Sequence, residues 1–166
     1  MIILGIDPGF ADMGYGVIEI VGGKDRCLAY GSVKTSAGEP MPKRLAAIYD
    51  GLSAIIGKYR PERAGIEKLF FSTNAKTAMN VAEARGVIRL CLERHGLACR
   101  ELGPADVKMA VCGHGTAAKP EVQKMTRVLL GLAEIPKPDD AADALALAIA
   151  VAHTRIAENA YGAGKS

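Results

Sequence analysis

The chain opens with MIILGIDPG, residues 1–9, and this stretch decides the fold. Met1 to Ile6 is rich in Ile and Leu, and Asp7-Pro8-Gly9 closes it, a pattern typical of a buried strand that ends in a turn. Two further strand-like runs follow: Gly14 to Val21 and Cys27 to Thr35. Because the hairpin signal Gly22-Gly23 lies between those runs, the opening predicts an antiparallel meander of three strands.

Beyond this meander, apolar residues recur with helical spacing and short strand-like runs separate the helices. The predicted helices are Met41 to Tyr59, Asn74 to His95, Pro104 to Val111, Glu121 to Leu132 and Asp139 to Asn159. The predicted strands between them are Arg63 to Phe70 and Leu97 to Leu102. This order predicts an α/β fold with a mixed five-stranded sheet flanked by helices. We expect residues 1–158 to form a single domain and residues 159–166 to form a flexible tail.

Composition narrows the class of protein. The 166 residues include 21 Lys+Arg and 18 Asp+Glu, a net charge of +3 that permits a nucleic-acid partner without requiring one. A hydrophobic share of 49% excludes a disordered chain. The four cysteines form no C-x-x-C pair, which argues against structural zinc and favours a reduced, cytoplasmic protein. The longest apolar run, Ala144 to Thr154, is too short to span a membrane, and no signal peptide is recognisable.

Two carboxylates stand at the ends of predicted strands. Asp7 follows the first strand, and Glu67 lies near the end of the strand that begins at Arg63. Ligands of open α/β sheets gather at strand ends, and a buried carboxylate is costly unless it is paired or bound to a cation. The competing interpretations are that Asp7 hydrogen-bonds its own turn and that Glu67 forms an ion pair with a basic residue.

More carboxylates open the last predicted helix, in Asp139-Asp140-Ala141-Ala142-Asp143. Asp140 and Asp143 are three positions apart, and Asp139 and Asp143 are four apart, so either pair shares a helix face. Spacing alone does not choose between Asp139 and Asp140, and one of them is equally suited to cap the helix after Pro138. Asp143 is followed by a nearly apolar stretch, which places it at the start of a buried segment.

Acids clustered in this way repel one another, and a divalent cation is the simplest means of stabilising them. Oxygen ligands favour Mg²⁺ or Mn²⁺, and the lack of a matching Cys and His set argues against zinc. Two such ions about 3.5–4 Å apart would clamp the attacking water and the leaving oxygen of a phosphodiester. The acids therefore point to metal-dependent phosphodiester hydrolysis.

Four motifs in register resemble the RuvC family of Holliday-junction resolvases. They are Ile3 to Gly9 with Gly14-Tyr15-Gly16, Ile66 to Phe70, Glu83 to Val87 and Asp140 to Ala146. The resemblance extends over residues 1 to about 158 and implies an RNase H-like fold and a homodimer. It implies Mg²⁺-dependent, paired and symmetric incision of a four-way DNA junction in recombination and repair, with 5′-phosphate and 3′-hydroxyl ends. The RuvA–RuvB branch-migration complex is the implied partner.

The resemblance also assigns residues. The four catalytic and metal-binding acids of the family fall on Asp7, Glu67, Asp140 and Asp143, so it selects Asp140 over Asp139. The basic positions that face the DNA backbone fall on Lys108 and Lys119, and the aromatic that inserts among bases falls on Phe70. The helix from Asn74 falls where family members dimerise. It carries two apolar stripes, and one can face the sheet while the surplus one is a candidate subunit interface. One stripe is Val81, Ala84, Ile88, Cys91 and Leu92, and the other is Met79, Ala82, Gly86 and Leu90.

The loop Phe10-Ala11-Asp12-Met13 departs from the family pattern. Family members often carry a small polar or basic residue early in this loop and Thr or Asn just before the glycine. Asp12 adds a negative charge beside the expected site, and Met13 cannot form the hydrogen bond of a Thr or Asn. Phe10 and Phe71 are compatible with either DNA contact or core packing, and His114 with either a phosphate contact or an ordinary loop position.

Two other classes of protein share some of these features. Actin-like ATPases also end their first strand in Asp-x-Gly, but they need two such domains around the nucleotide, and this chain has the length of one. A non-catalytic junction-binding protein would share the fold but would not be expected to retain all four acids. An ATP-binding titration tests the first class, and a nicking assay on a synthetic junction tests the second.

Overall fold

The computed structural model of the chain describes residues 1–68 and 75–154. Its strands are β1 (Ile2–Asp7), β2 (Asp12–Val21), β3 (Lys24–Lys34), β4 (Arg63–Glu67) and β5 (Cys99–Leu102). The helices of this part are α1 (Met41–Tyr59), α2 (Ala75–Arg94), α3 (Pro104–Cys112), α4 (Lys119–Leu129) and α5 (Asp139–His153). None of these helices combines the length and the apolarity needed to cross a bilayer.

The strands form one mixed sheet of five strands, as the sequence predicts, and the structure places them in the order β3-β2-β1-β4-β5. β1 pairs antiparallel with β2, β2 antiparallel with β3, and β4 lies parallel to both β1 and β5. Gly22 and Gly23 join β2 to β3 with φ values of 57° and 77°, so the hairpin needs only two residues and Lys24 already belongs to β3. β1 thus lies at the centre of the sheet.

Helices cover both faces of the sheet because buried side chains alternate along its strands. Leu4 and Ile6 of β1 face one side, where they share a core with Ile48 and Leu52 of α1 and with the buried face of α2. Ile3 faces the opposite side and joins a core built from α3, α4 and α5. The molecule therefore has three layers with a core on each side of the sheet.

Some predicted boundaries are wrong. β4 ends at Glu67, and Phe70 and Phe71 lie outside the described residues, as do the end of the predicted domain near residue 158 and the tail 159–166. α4 begins at Lys119 rather than Glu121, because a proline in the first turn of a helix lacks only an N–H that needs no intrahelical partner. α5 ends at His153, and the next residue, Thr154, has extended backbone angles.

A row of glycines lets α5 lie directly on the sheet. Gly5 of β1 is in register with Gly16 of β2 and with Gly65 of β4, so three neighbouring strands lack a side chain at the same level. A Cβ added to Gly5 would lie 1.9 Å from the carbonyl oxygen of Ala144 in α5. α5 meets this row with small residues, and Ala144 and Ala148 are completely buried. The contact is therefore backbone against backbone.

Candidate active site

Asp7 and Glu67 lie side by side at one edge of the sheet. Their strands are parallel, and the register Ile6↔Ile66 makes Asp7 and Glu67 the next residues on both. Each stands two positions after a glycine of the row, Gly5 or Gly65, so both carboxylates project toward the face that α5 covers.

The first turns of α5 bring two more acids to this edge. Gly14 is the register partner of Asp7, and a Cβ added to Gly14 would lie 2.2 Å from the carbonyl oxygen of Asp140 and 2.9 Å from its Cβ. The close approach of α5 to the glycines therefore puts Asp140 beside Asp7. Asp143 lies one turn further along the same helix face.

The structure also distinguishes Asp139 from Asp140. Pro138 is the N-cap of α5, so neither aspartate caps the helix, and the capping interpretation is wrong for both. The Asp139 side chain is 70% exposed, whereas Asp140 is only partly exposed and contacts β2 through Gly14. Asp140 also acts electrostatically on Asp7. Geometry thus selects the same aspartate as the family resemblance.

The four acids form one electrostatic unit. Burial, followed by the charges of Glu67, Asp143 and Asp140, raises the pKa of Asp7 to about 7. Burial and the charge of Asp143 likewise raise the pKa of Glu67, and burial, Asp12 and Asp143 raise that of Asp140. A cluster in which neighbouring carboxylates hinder the ionisation of Asp7, Glu67 and Asp140 would be stabilised by a cation.

Lys119, the first residue of α4, supplies positive charge to this unit. Its Nζ lies 2.8 Å from Oδ2 of Asp143 and 3.6 Å from Oδ2 of Asp139. The hydrogen bond to Asp143 raises the pKa of Lys119, and the ammonium in turn lowers the pKa values of Asp7 and Glu67. Lys119 therefore belongs to the acidic cluster as well as to the basic surface where the resemblance puts it.

The donor chemistry of the site fits a hard divalent cation, because its ligands would be carboxylate oxygens with no thiol or imidazole among them. The side chains do not already form a closed cage. Among residues 1–68 and 75–154, no group of three or more His, Cys, Asp or Glu is gathered closely enough to hold a metal ion. In this arrangement Asp143 is paired with the ammonium of Lys119 instead.

The unusual loop after β1 lies beside the acids. Asp12 raises the pKa of Asp140, and its Oδ1 is buried without a hydrogen-bond partner among the described residues. Asp12, Phe10, Asn80 and Asp140 line an open cleft of about 320 Å³. Met13 is fully buried in the core on the α1 side of the sheet, opposite the face toward which the acids project.

Phe10 packs on the protein rather than extending from it. The guanidinium carbon of Arg44 lies 3.6 Å from the centre of the Phe10 ring, and Arg44 Nε donates a 2.9 Å hydrogen bond to Oγ1 of Thr35. Thr35 Oγ1 in turn donates to the carbonyl of Phe10 at 2.8 Å. This closed set of contacts fastens the loop to the end of β3 and to α1.

The other candidate residues lie on the α3–α4 side of the site. Lys108 lies on α3, partly exposed, and forms no ion pair with any described residue. His114 lies in the loop before α4, where its ring nitrogens are 3.2 Å from Thr116 Oγ1 and 2.9 Å from Glu121 Oε1. These contacts favour the ordinary loop position for His114.

One residue that supports the site has no role in the sequence-based interpretation. Arg85 of α2 donates a hydrogen bond to the backbone carbonyl of Glu67 and forms an ion pair with Glu101 of β5. The available signal was its position inside an apolar stripe, between Ala84 and Ile88, where a charged residue requires a buried partner.

The sequence of this chain is similar to those of known nucleases. The family model for crossover junction endodeoxyribonuclease RuvC matches residues 3–153. A crossover junction endodeoxyribonuclease RuvC from Heliobacterium modesticaldum is 54% identical over 154 residues, which cover 93% of this chain and 95% of the relative.

Solved structures of RuvC from Thermus thermophilus have the same fold as this chain. RuvC of Thermus thermophilus superposes with a TM-score of 0.86 at 39% identity, over 92% of this chain and 93% of that one. T. thermophilus RuvC in complex with a Holliday junction substrate superposes with a TM-score of 0.84 at 35% identity, with the same coverage of both chains.

Proposed function

This chain belongs to the RuvC family of crossover junction endodeoxyribonucleases and has its RNase H-like fold, and we propose that it resolves four-way DNA junctions at Asp7, Glu67, Asp140 and Asp143. The observation that carries this proposal is the convergence of these four acids at one end of the sheet, where burial and neighbouring carboxylates, Asp143 among them, raise the pKa values of Asp7, Glu67 and Asp140. A binding protein without catalytic activity would have no need to bear the cost of this repulsion.

In the proposed reaction a water attacks the phosphorus in line with the 3′-oxygen, which leaves. Hydrolysis of that bond produces a 5′-phosphate and a 3′-hydroxyl. Asp7 and Asp140 would hold the cations, while Glu67 and Asp143 would complete or orient the ligand set. We propose Mg²⁺ as the cofactor, with Mn²⁺ as a substitute and two ions per site. When bound, the cations supply charge neutralisation for the attacking and leaving oxygens.

Three residues besides the four acids are the proposed DNA-binding residues. Lys108 and Lys119 contact the phosphate backbone, which contributes affinity and salt dependence but no sequence preference. Phe70 stacks among bases at the junction centre, an interaction worth about 1–3 kcal/mol per base. Phosphate from the substrate also offers Lys119 a partner other than Asp143.

Paired cuts require two active sites, and we propose a homodimer built on α2. Of the two apolar stripes of this helix, the one with Met79 and Leu90 is exposed, at 66% and 52% respectively. Ala82 and Gly86 are exposed between them. The RuvA–RuvB branch-migration complex is the proposed partner, and the cytoplasm, where bacterial DNA recombines, is the proposed location.

The test is cleavage of a synthetic four-way junction by Asp7→Asn, with Mg²⁺ or Mn²⁺ and with the products mapped at nucleotide resolution. We expect cleavage to fall by about 10³-fold or more, because the central carboxylate no longer binds a cation. Junction affinity should persist. Cleavage by this variant at the wild-type rate with Mg²⁺ would sink the assignment.

Asp139→Asn is the matched control, since Asp139 is adjacent in sequence to Asp140 but 70% exposed. It should cleave within about threefold of wild type, whereas Asp140→Asn should be as inactive as Asp7→Asn. Equal losses in the two neighbours would contradict the assignment of Asp140.

A further inference from the structure

The backbone carbonyl of Glu67 has no donor from the sheet. The amide of Lys68 bonds the Leu102 carbonyl of β5 at 2.8 Å, so the neighbouring residue, Glu67, turns its own polar groups toward β1. In the register Ile6↔Ile66, the donor in line for the Glu67 carbonyl is residue 8 of the chain. Residue 8 is proline, which has no N–H.

Arg85 fills this gap. Its guanidinium donates to the Glu67 carbonyl through Nη1 and pairs with Oε2 of Glu101 at 2.8 Å through Nη2. One side chain thus connects α2 to the last residue of β4 and to the neighbouring strand β5. The planar guanidinium suits this double contact, which a lysine ammonium on a flexible stem would not reproduce.

Arg85 is also unusual in its burial. Only 8% of its surface is exposed, which is unusual for an arginine. Burying an arginine is costly, so its partners must hold it firmly. Arg89, one turn later on the same helix, pairs with the other oxygen of Glu101 at 3.3 Å but is 63% exposed.

We propose that Arg85 is a positioning residue: by bonding the Glu67 carbonyl that Pro8 leaves without a donor, it fixes the end of β4 and thereby the place of the Glu67 carboxylate beside Asp7. This inference rests on the proposed function, because it matters for the reaction only if Glu67 holds a cation. The proposal also gives α2 two roles: its exposed stripe forms the proposed dimer interface, and Arg85 on its buried side holds the end of β4 in the active site.

The test compares Arg85→Gln with Arg89→Gln. Both variants replace an arginine that forms an ion pair with Glu101. We expect Arg85→Gln to cleave 10- to 100-fold more slowly and to bind Mn²⁺ about tenfold more weakly, as is typical when the residue supporting a metal ligand is lost. The Mn²⁺ titration is calorimetric and contains no DNA. Junction affinity should stay within about twofold, and Arg89→Gln should match wild type in every measurement.

Two further variants separate positioning from simple stability. Glu101→Gln removes the ion pair but leaves the guanidinium at the carbonyl, so cleavage per folded molecule should stay within about threefold of wild type. Arg85→Lys keeps the charge, and we expect it to fold and still to show the loss of Mn²⁺ affinity. Should the Arg85 variants lose activity only in proportion to unfolded protein, with unchanged Mn²⁺ affinity, the positioning role is wrong.

Glu67→Gln distinguishes the two proposals. If Glu67→Gln cleaves like wild type, the proposed role of Glu67 fails, and the role of Arg85 fails with it. If Glu67→Gln is inactive while Arg85→Gln behaves like Arg89→Gln, only the inference about Arg85 is overturned.

Discussion

Asp7 is the residue at which the conflict between stability and activity is greatest. A carboxyl whose pKa lies at about 7 in the folded chain, against 3.8 for an unperturbed aspartate, is held in a place that disfavours its charge. The causes are burial and three like-charged neighbours. The proposed function requires that charge, and it would explain why the fold keeps an unfavourable carboxylate at the end of its central strand.

This conflict predicts how stability depends on pH in the absence of metal. The folded state binds the Asp7 proton more tightly than the unfolded state does. Protonated Asp7 therefore contributes its full stability to the fold below pH 4, and this contribution is lost as the pH rises through about 7. Asp7→Asn lacks this loss and should exceed wild type at pH 8 by about 2–4 kcal/mol. Urea unfolding in EDTA at pH 5 and pH 8 measures the difference.

Added Mg²⁺ provides the control for this experiment. It should stabilise wild type at pH 8 but have a much smaller effect on Asp7→Asn, because a ligand that binds only the folded state raises its stability. Glu67 and Asp140 shift in the same direction and leave a residual slope in the variant. An identical pH dependence in both proteins would contradict the account of Asp7.

At the scale of single residues, the sequence predicted where the acids would lie but not the residues that support them. Asp7 and Glu67 were recognisable because each ends a strand, and Asp143 because it begins an apolar stretch. Helical spacing left Asp139 and Asp140 equivalent, whereas in three dimensions the contact of Asp140 with Gly14 and the 70% exposure of the Asp139 side chain distinguish them. The role of Arg85 depends on a proline eight residues into the chain, a relation that no local pattern reveals.

Among the elements, α5 owes its position to glycines of the sheet, which have no side chain to keep the helix away. Its position over β1 is set by the backbone contact at Gly5, and its first turns carry Asp140 and Asp143. The sequence predicted a buried, alanine-rich helix, but the matching glycines lie on three strands whose register was not known in advance. Helix α1 was predicted with its observed bounds, because its apolar periodicity and Pro61 are local signals.

A substitution at this contact should disturb both stability and cleavage. We expect Gly5→Ala to destabilise the fold by about 3 kcal/mol or more, since its Cβ would lie 1.9 Å from a backbone oxygen that cannot move alone. The displaced helix would carry Asp140 and Asp143 away from Asp7, so cleavage per folded molecule should also fall. Urea unfolding and junction cleavage report the two effects separately.

Gly57→Ala is the matched control. Gly57 lies in α1, and a Cβ added there meets nothing within 4 Å. The change should stabilise the chain by about 0.5–1 kcal/mol, because alanine favours a helix more than glycine does. If Gly5→Ala were tolerated as well as Gly57→Ala, the glycine row would not determine the position of α5.

At the scale of the whole molecule, α2 has two apolar faces, one in the core and one on the protein surface. Its buried face, with Ala84 and Ile88, packs against the sheet, and its outer stripe with Met79 and Leu90 is exposed. The weak separation of apolar and polar residues on this helix follows from having two apolar faces. The sequence could indicate the surplus stripe, but it could not state what covers it.

Leu90→Glu tests the proposed dimer. A charge placed in an apolar interface should shift the protein to a monomer at about 10 μM, as measured by sedimentation equilibrium. Resolution should give way to single nicks, because the second cut needs a second site on the same junction. Val128→Glu on α4, at a position 59% exposed, should leave the dimer intact. A Leu90→Glu protein that stays dimeric would exclude this stripe as the interface.

The glycine row also has a consequence for the physics of catalysis. A helix that rests on backbone atoms is positioned by repulsion at van der Waals distance, which acts as a hard stop with no side chain that can repack. Such a stop is indifferent to ionic strength and to proton concentration, whereas the charges of the acids respond to both. Salt and pH should therefore change the cleavage rate through charge alone. The distances from Asp7 and Glu67 on the strands to Asp140 and Asp143 on α5 should stay constant.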